Sequence, residues 1–396
     1  MEAVKERVCK AIDLQADALV SLSHEIHANP ETAFTEYKSS RLIADFLEHA
    51  GFEVKLGIGG LETAFLASKE GKRPGPHIAF LAEYDSLPGI GHACGHNIIA
   101  TSAVGAFIGA VAVMEEFAGK LSIIGTPAEE GGAGKVILLE NGVFDDVEYA
   151  MMIHPSSGKS LINRGGRAST SVHVKFHGKA THSANPGRGI NALSAVISTF
   201  VHIDQMRPTF EMQDNVNGII TDGGKAANVI PGEAACEFSL RARTMLDLER
   251  LVEKVKSCVA SAERLTGAKA EVEVERIYAE RYPNLPMCEA MKRNMAVLGE
   301  AMEYPDPNVM YGSSDIGNVS IKIPAIHDYL SIAPEGVNSH HPDFAKAALS
   351  PRADEVCIKA AKGLAMTAVD ILAEEKFRKE INEYHEKQVP AEYKNR

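Results

Sequence analysis

The chain of 396 residues has no tryptophan, no cysteine pair at CxxC spacing and no run of lysine and arginine longer than two. Each absence excludes something. Structural zinc sites usually close locally through paired cysteine clips, so a small zinc-stapled module is not expected. With a formal net charge of −12 and no basic block, neither a nucleic-acid groove nor an anionic membrane surface is an expected partner. The six cysteines stand singly at 9, 94, 236, 258, 288 and 357. The opening MEAVKERVCKAIDL is charged and helical rather than signal-like, so reduced thiols in a cytoplasmic protein are the expectation. The apolar stretch Ile98–Met114 is short for a membrane span and rich in Gly, Ala, Ser and Thr. It reads as a buried helix.

What is present is a globular composition, 45% hydrophobic and 24% charged, on a chain too long for one ordinary core. Residues 4–48 have helical spacing, broken at Asn29-Pro30, with Leu19, Leu22 and Ile26 on one face. Strand-like segments follow at 77–82, 121–125 and 148–154, with helical runs beginning at Ile98 and Lys135. That alternation predicts an α/β domain with a mostly parallel sheet flanked by helices. Around Gly165-Gly166 the pattern changes. Segments 169–176, 217–221, 234–240 and 270–277 read as strands, and 190–206 and 246–266 as helices, the βαββαβ order of a ferredoxin-like α+β unit. After Tyr278 the first pattern resumes and ends in a long helix from about Pro351. The middle unit is therefore expected as an insertion, residues 167–278 within a catalytic domain of 1–166 and 279–396.

The chemically loaded residues fall just after strand ends, where open α/β sheets bind ligands. They are Asp85, Glu129-Glu130 and His154, to which Cys94-Gly95-His96 and the late pair His340-His341 add a thiol and further imidazoles. Zinc takes sulfur, nitrogen and oxygen donors at about 2.0–2.3 Å, and donors scattered along a chain mark a catalytic rather than a structural site. Neighbouring residues of an extended segment point opposite ways, so Glu129 and Glu130 can share a site only through a tight turn, which Gly131-Gly132 would permit. Taken singly, each residue has a plainer reading. Cys94 alone is a small buried hydrophobe, the glutamate pair a solvated one, and His92 a structural histidine. The other histidines, His24, His49, His77, His173, His177, His202, His327 and His385, have nothing convergent near them in sequence.

The strings AEYDSLPGIGHACGHN, TPAEEGG, IHP, HGKATHSANPGRGINAL, DGGKAANVIPGEA and GSSDIGNVS resemble the di-metal peptidases of the aminoacylase-1 and glutamate carboxypeptidase family. The Cys-Gly-His form is similar to the branch of auxin-conjugate hydrolases, aminobenzoyl-glutamate hydrolase and β-alanyl-lysine dipeptidase, the last two above all. The resemblance runs from His27 to the final helix. It implies that Cys94 bridges or caps two divalent metals, with His96 and His154 on the first and Glu130 and His340 on the second. It gives Glu129 the role of general base and Asp85 that of orienting a ligand imidazole. His182 matches a residue that reaches a partner subunit's site, Asn228 and Arg241 the groups that hold a substrate carboxylate, and Gly312 to Asp315, with Ser313, a pocket-lining loop. His340 rather than His341 is favoured by its spacing to Phe344. Asn97 stands where many relatives carry Asp, and an amide cannot serve as an anionic acceptor behind a ligand.

The expectation is thus a metal-dependent amidohydrolase acting on small N-acyl or aminoacyl amino acids or dipeptides with a free carboxylate. Zinc is favoured by the thiolate, with manganese left open, and a homodimer is expected through a lid formed by the inserted domain. The alternatives are an N-acetyl-amino-acid deacylase on the same fold and a catalytically silent binding protein.

Overall fold

A computed structural model describes residues 1–393 and divides the chain into two compact units. The first joins Met1–Gly165 to Arg281–Arg396, and the second is Gly166–Glu280. The chain leaves the first unit at Gly165 and re-enters at Arg281, whose guanidinium donates to the Gly165 carbonyl at 2.6 Å.

The first unit is built on a six-stranded sheet. Strands His77–Ala82, Lys120–Gly125, Tyr149–Ser157 and Ala325–Ala333 run parallel, and Val54–Leu56 and Phe65–Glu70 form an antiparallel edge. Helices cover both faces. On one side the helix His96–Val111 lies between the sheet and the helices Glu2–Asp13, Ala16–Ala28 and Pro351–Ala373. Enclosed in that way it is buried almost all round, which fits its largely apolar sequence. On the other side Gly134–Glu140 and Ile316–Lys322 bring Leu138, Ile316 and Val319 against Leu81, Ile124 and Met152. No helix among the described residues is long and apolar enough to cross a membrane.

The second unit is a four-stranded antiparallel sheet in the order Lys269–Val274, Ala168–His177, Glu233–Ala242, Asn215–Asp222. Helices Ala192–Met206 and Met245–Thr266 pack on it. The order 4-1-3-2 is that of the ferredoxin-like βαββαβ unit, and the strict inside-outside alternation of Ala168–His177 and Glu233–Ala242 fills its core. A second, two-residue ladder pairs Thr181–His182 with Val229–Ile230.

Two features differ from the periodicity reading. Strand Ala325–Ala333 carries His327 and Asp328 buried in its middle, so its apolar run is interrupted and it escapes a pattern search. The C-terminal helix is two helices, Pro351–Ala373 and Glu375–Gln388, broken where Glu374 adopts extended backbone.

Candidate metal centre

The four parallel strands end on the same edge of their sheet, and each delivers part of one cluster. Beyond Ala82 the chain places Glu83 and Asp85, and beyond Gly125 Glu129 and Glu130. His154 lies on its own strand, and His340 follows Ala333. Cys94 and His96 come from the turn that opens the helix His96–Val111. Gly95 is left-handed there, and a Cβ on it would stand 2.5 Å from Pro155 Cγ. Only glycine meets both conditions, so the thiol and the imidazole converge around it.

Cys94, His96 and His154 form one group of mutually close donor atoms, and Cys94, Glu130 and His340 another, so the thiol belongs to both. Cys94 Sγ lies 3.5 Å from His154 Nε2, and His340 Nε2 3.4 Å from Glu130 Oε2. The tautomers follow from the partners. His96 Nδ1 donates to Asp85 Oδ1 at 2.9 Å and His154 Nδ1 to the Pro155 carbonyl at 2.6 Å. Each ring therefore presents an unprotonated Nε2 when neutral, the arrangement of a metal-binding histidine. His96 Nε2 and Glu130 Oε1 are buried with no hydrogen-bond partner. Orphaned buried polar atoms are costly, and divalent cations held by the two groups would satisfy them. The sulfur, nitrogen and oxygen donor set suits such an ion.

Burial, and then the charge of Glu130, pushes the Cys94 thiol well above its ordinary range, and burial with His96 drives His154 well below. Burial works against ionisation of Glu130, but the hydrogen bond from His340 and the charge of His96 bring it below the usual carboxylate value. Glu129 goes the other way. Burial pushes it well up, and the negative charges of Glu83, Glu130 and Asp315 add to that. Two adjacent carboxyls thus differ in proton affinity, the pattern expected of a ligand beside a proton carrier.

The turn that makes them neighbours is not made by glycine alone. Ala128 and Ala133 both take positive φ, at 60° and 56°, with Gly132 at 139°. The buried Glu36 carboxylate braces this segment, accepting from Ala128 N at 3.0 Å, Phe34 N at 2.9 Å and Thr63 Oγ1 at 2.9 Å. Asp85 acts similarly, since the carboxyl that holds His96 also accepts from Glu130 N at 2.8 Å.

His340 is exposed, has φ 64°, and its N–H is fixed to the Ala93 carbonyl at 2.9 Å. His341 instead caps the helix Pro342–Ala347. Asn97 donates to Ser23 Oγ and to the Ala348 carbonyl, so its side chain faces the helices rather than a ligand, and the carboxylate behind His96 is Asp85. His92 is buried against the His27 ring with both nitrogens unpaired. Gly312 accepts from Arg281 at 3.0 Å, and Ser313 leads into Asp315.

His182, Asn228 and Arg241 lie in the second unit. Ala184 N donates to His182 Nδ1 at 3.1 Å, which leaves Nε2–H as the exposed donor. Ser183 N takes the Asn228 carbonyl at 3.0 Å, joining the two segments. Arg241 is half-buried on its strand, and burial, then the charge of Arg167, lowers its proton affinity.

Sequence reasoning missed Lys135 and Glu83. Lys135 is fully buried, with Nζ 2.5 Å from Glu83 Oε1 and 2.7 Å from Asp315 Oδ1. Glu83, Glu129 and Asp315 would otherwise pass for a further cluster of metal donors, but this ammonium occupies it. A lysine at the start of the apolar helix GKVILLE was the one available signal.

Comparison with known proteins identifies the family. Residues 164–265 match the peptidase dimerisation domain of the M20 family. The Xaa-Arg dipeptidase of Mus musculus is 36% identical over 94% of this chain and 90% of its own length. A p-aminobenzoyl-glutamate hydrolase polypeptide of Escherichia coli is 30% identical over 76% of this chain and 66% of its own. Among solved structures, a dinuclear metal-binding peptidase of the M20 family from Bacillus subtilis superposes with a TM-score of 0.68 at 21% identity, covering 90% of this chain and 99% of that one. Clustered donors at the strand ends and relatives aligned along nearly the whole chain lead to one conclusion: the protein belongs to the M20 family of metal-binding peptidases and amidohydrolases.

Proposed function

We propose that the protein hydrolyses the amide bond of small dipeptides or aminobenzoyl-amino-acid conjugates that carry a free carboxylate. The observation that carries this is the pair of donor groups sharing Cys94, with His96 Nε2 and Glu130 Oε1 buried and unpaired between them. Cys94, His96 and His154 would hold one cation and Cys94, Glu130 and His340 the other, with zinc favoured by the thiolate. Two such ions supply Lewis-acid polarisation of a carbonyl and an acidified water.

The remaining work falls to side chains. Glu129, with a carboxyl disposed to hold a proton, accepts one from water and returns it to the departing nitrogen. Asp85 keeps the His96 ring in the binding tautomer and pins the Glu130 backbone. His182, matching a residue that reaches a partner subunit's site, donates its Nε2–H to the developing oxyanion there, a contact worth about 2.7–4 kcal/mol in comparable sites. Asn228 and Arg241 hold the carboxylate, arginine through its planar fork. The inserted unit also serves as a dimer surface. Ile219 and Ile220 are exposed on its edge strand and Ile197 and Val201 on its first helix, an apolar display that monomers usually avoid. Six unpaired thiols support a cytoplasmic setting.

The test is a mixed panel of dipeptides, aminobenzoyl-glutamate and N-acetyl amino acids, incubated with metal-loaded protein and read by mass spectrometry. Cleavage of dipeptides or aminobenzoyl-glutamate that Glu129→Gln abolishes, at unchanged metal content, is the expected result. Cleavage confined to N-acetyl amino acids would replace the reading with deacylation. No cleavage and no bound metal would end it.

A further inference from the structure

Arg164 stands on the catalytic unit without an assigned role, and its surroundings are unusual for an arginine. Its guanidinium lies 3.7 Å from the centre of the Tyr329 ring and 4.3 Å from that of Tyr311. No carboxylate pairs with it among the described residues, and its Nε is buried without a hydrogen-bond partner. Half-buried arginines normally meet an acid. The same tyrosine is shared with a second guanidinium. Arg281 donates to Tyr329 Oη at 2.8 Å and lies 5.7 Å from the ring centre. Its other bonds go to His327 Nδ1 and to the carbonyls of Gly165 and Gly312, none of them negatively charged. Asp328, next to Tyr329 in the chain, alternates to the opposite face of the strand and accepts from Asn163 N there, and Glu280, next to Arg281, accepts from Met245 N.

This cationic group adjoins the metal cluster. The His154 ring packs 5.1 Å from the same Tyr329 and 5.3 Å from His327. A centre holding two divalent ions would make the region more positive, not less. Two guanidiniums on one ring repel each other, and that cost is offset when an anion arrives. A planar, stacked guanidinium with unused donors is pre-organised for a carboxylate.

We propose that Arg164, stacked between Tyr311 and Tyr329 and backed by Arg281, is a seat for the substrate's free carboxylate on the catalytic unit, and so a specificity-determining residue. The proposal rests on the amidohydrolase reading for its substrate. It makes the enzyme one that discriminates acids from their neutral amides by a contact of its own catalytic unit, whatever Arg241 adds.

The experiment compares the panel's fastest dipeptide with its C-terminal amide, on wild type and on Arg164→Gln, Arg164→Lys and Arg241→Gln, all metal-loaded and with metal content measured. Wild type should favour the acid in kcat/KM. In Arg164→Gln that preference should fall about tenfold or more, the scale of a lost hydrogen bond to a charged group. Arg164→Lys, which keeps the charge, should retain part of it, whereas a purely structural arginine would give no such rescue. An acid preference that survives Arg164→Gln intact, or that is lost only in Arg241→Gln, overturns the proposal. If Arg164→Gln does not fold, Arg164→Lys decides, since an undiminished acid preference there is the overturning result. Isothermal titration with glutamate, arginine and their α-amides separates this from failure of the hydrolase reading, because it needs no turnover. A wild-type preference for the acids that weakens in the variant supports the seat even without cleavage, and equal affinities overturn it.

Discussion

Replacing Lys135 by methionine keeps its length and removes its charge. In the native protein that charge lies between Glu83 and Asp315, both side chains wholly inaccessible, and Lys135 N additionally donates to Asp315 Oδ2 at 2.9 Å. Opening a buried ion pair by deleting one partner typically costs about 3–5 kcal/mol, because the partner is left charged and desolvated. Here two carboxylates are left, with Glu129 close by, so the upper part of that range is expected. On a unit of this size the loss corresponds to a fall in midpoint temperature of roughly 10 °C. The loss should shrink in acid, where protonation relieves the uncompensated charges. Calorimetry of Lys135→Met against wild type, at neutral and at mildly acidic pH, measures it. The triple variant Glu83→Gln, Lys135→Met, Asp315→Asn is the control for the reasoning. With no charge left to bury, it should recover most of the deficit. A Lys135→Met protein that melts within a degree or two of wild type refutes the argument, as does a triple variant no more stable than the single one.

Other consequences can be checked with equal directness. Burial raises the carboxyl of Asp328 from 3.8 to about 7, against the opposing hydrogen bonds from Cys288 and Asn163 N. The native state therefore holds a proton that the unfolded chain has released, and this carboxyl lowers stability as pH climbs from 4 to 7. Asp328→Asn should gain on wild type by up to about 4 kcal/mol across that window in denaturant titrations at several pH values. An unchanged difference between the two proteins at pH 4 and pH 8 would contradict it. Gly95→Ala, forced into Pro155 from a left-handed position, should lower bound metal and turnover together by at least tenfold, read by elemental analysis and by the panel assay. Cys94→Ser should weaken metal retention during dialysis against chelator more than His340→Ala does, because the thiol belongs to both donor groups and the exposed imidazole to one.

The cluster donors were legible because each sits in a short segment whose residue types have few other reasons to occur together. Cys-Gly-His before a helix and Glu-Glu before a turn are such segments. The second unit was legible through the alternation of Ala168–His177 and Glu233–Ala242, which one buried face imposes. What stayed hidden depends on distance along the chain. Lys135 finds its partners 52 and 180 positions away, and no local pattern announces a buried ammonium. Glu36 reads as one more acid before a surface helix, yet it braces backbone 92 positions ahead. Asn97 misled for the same reason, since a position beside a ligand in sequence faces another way once a helix turns it. Strand Ala325–Ala333 was obscured by its own polar residues, which serve the Arg281 and Asn163 contacts.

The crossing at Gly165 and Arg281 bears on how the protein is made. A ribosome delivers the second unit as one uninterrupted stretch, Gly166–Glu280, with everything its core needs. The first unit emerges as a fragment whose sheet lacks Ala325–Ala333 and whose central helix lacks the cover of Pro351–Ala373. During synthesis the inserted unit can fold while the unit that encloses it in sequence waits, its apolar helix His96–Val111 still bare on one side. The contact between Arg281 and Gly165 then closes the loop that the inserted unit opens in the first. Because His340 is translated after the strand Ala325–Ala333, the clustered donors can come together only once residue 340 has emerged, late in synthesis.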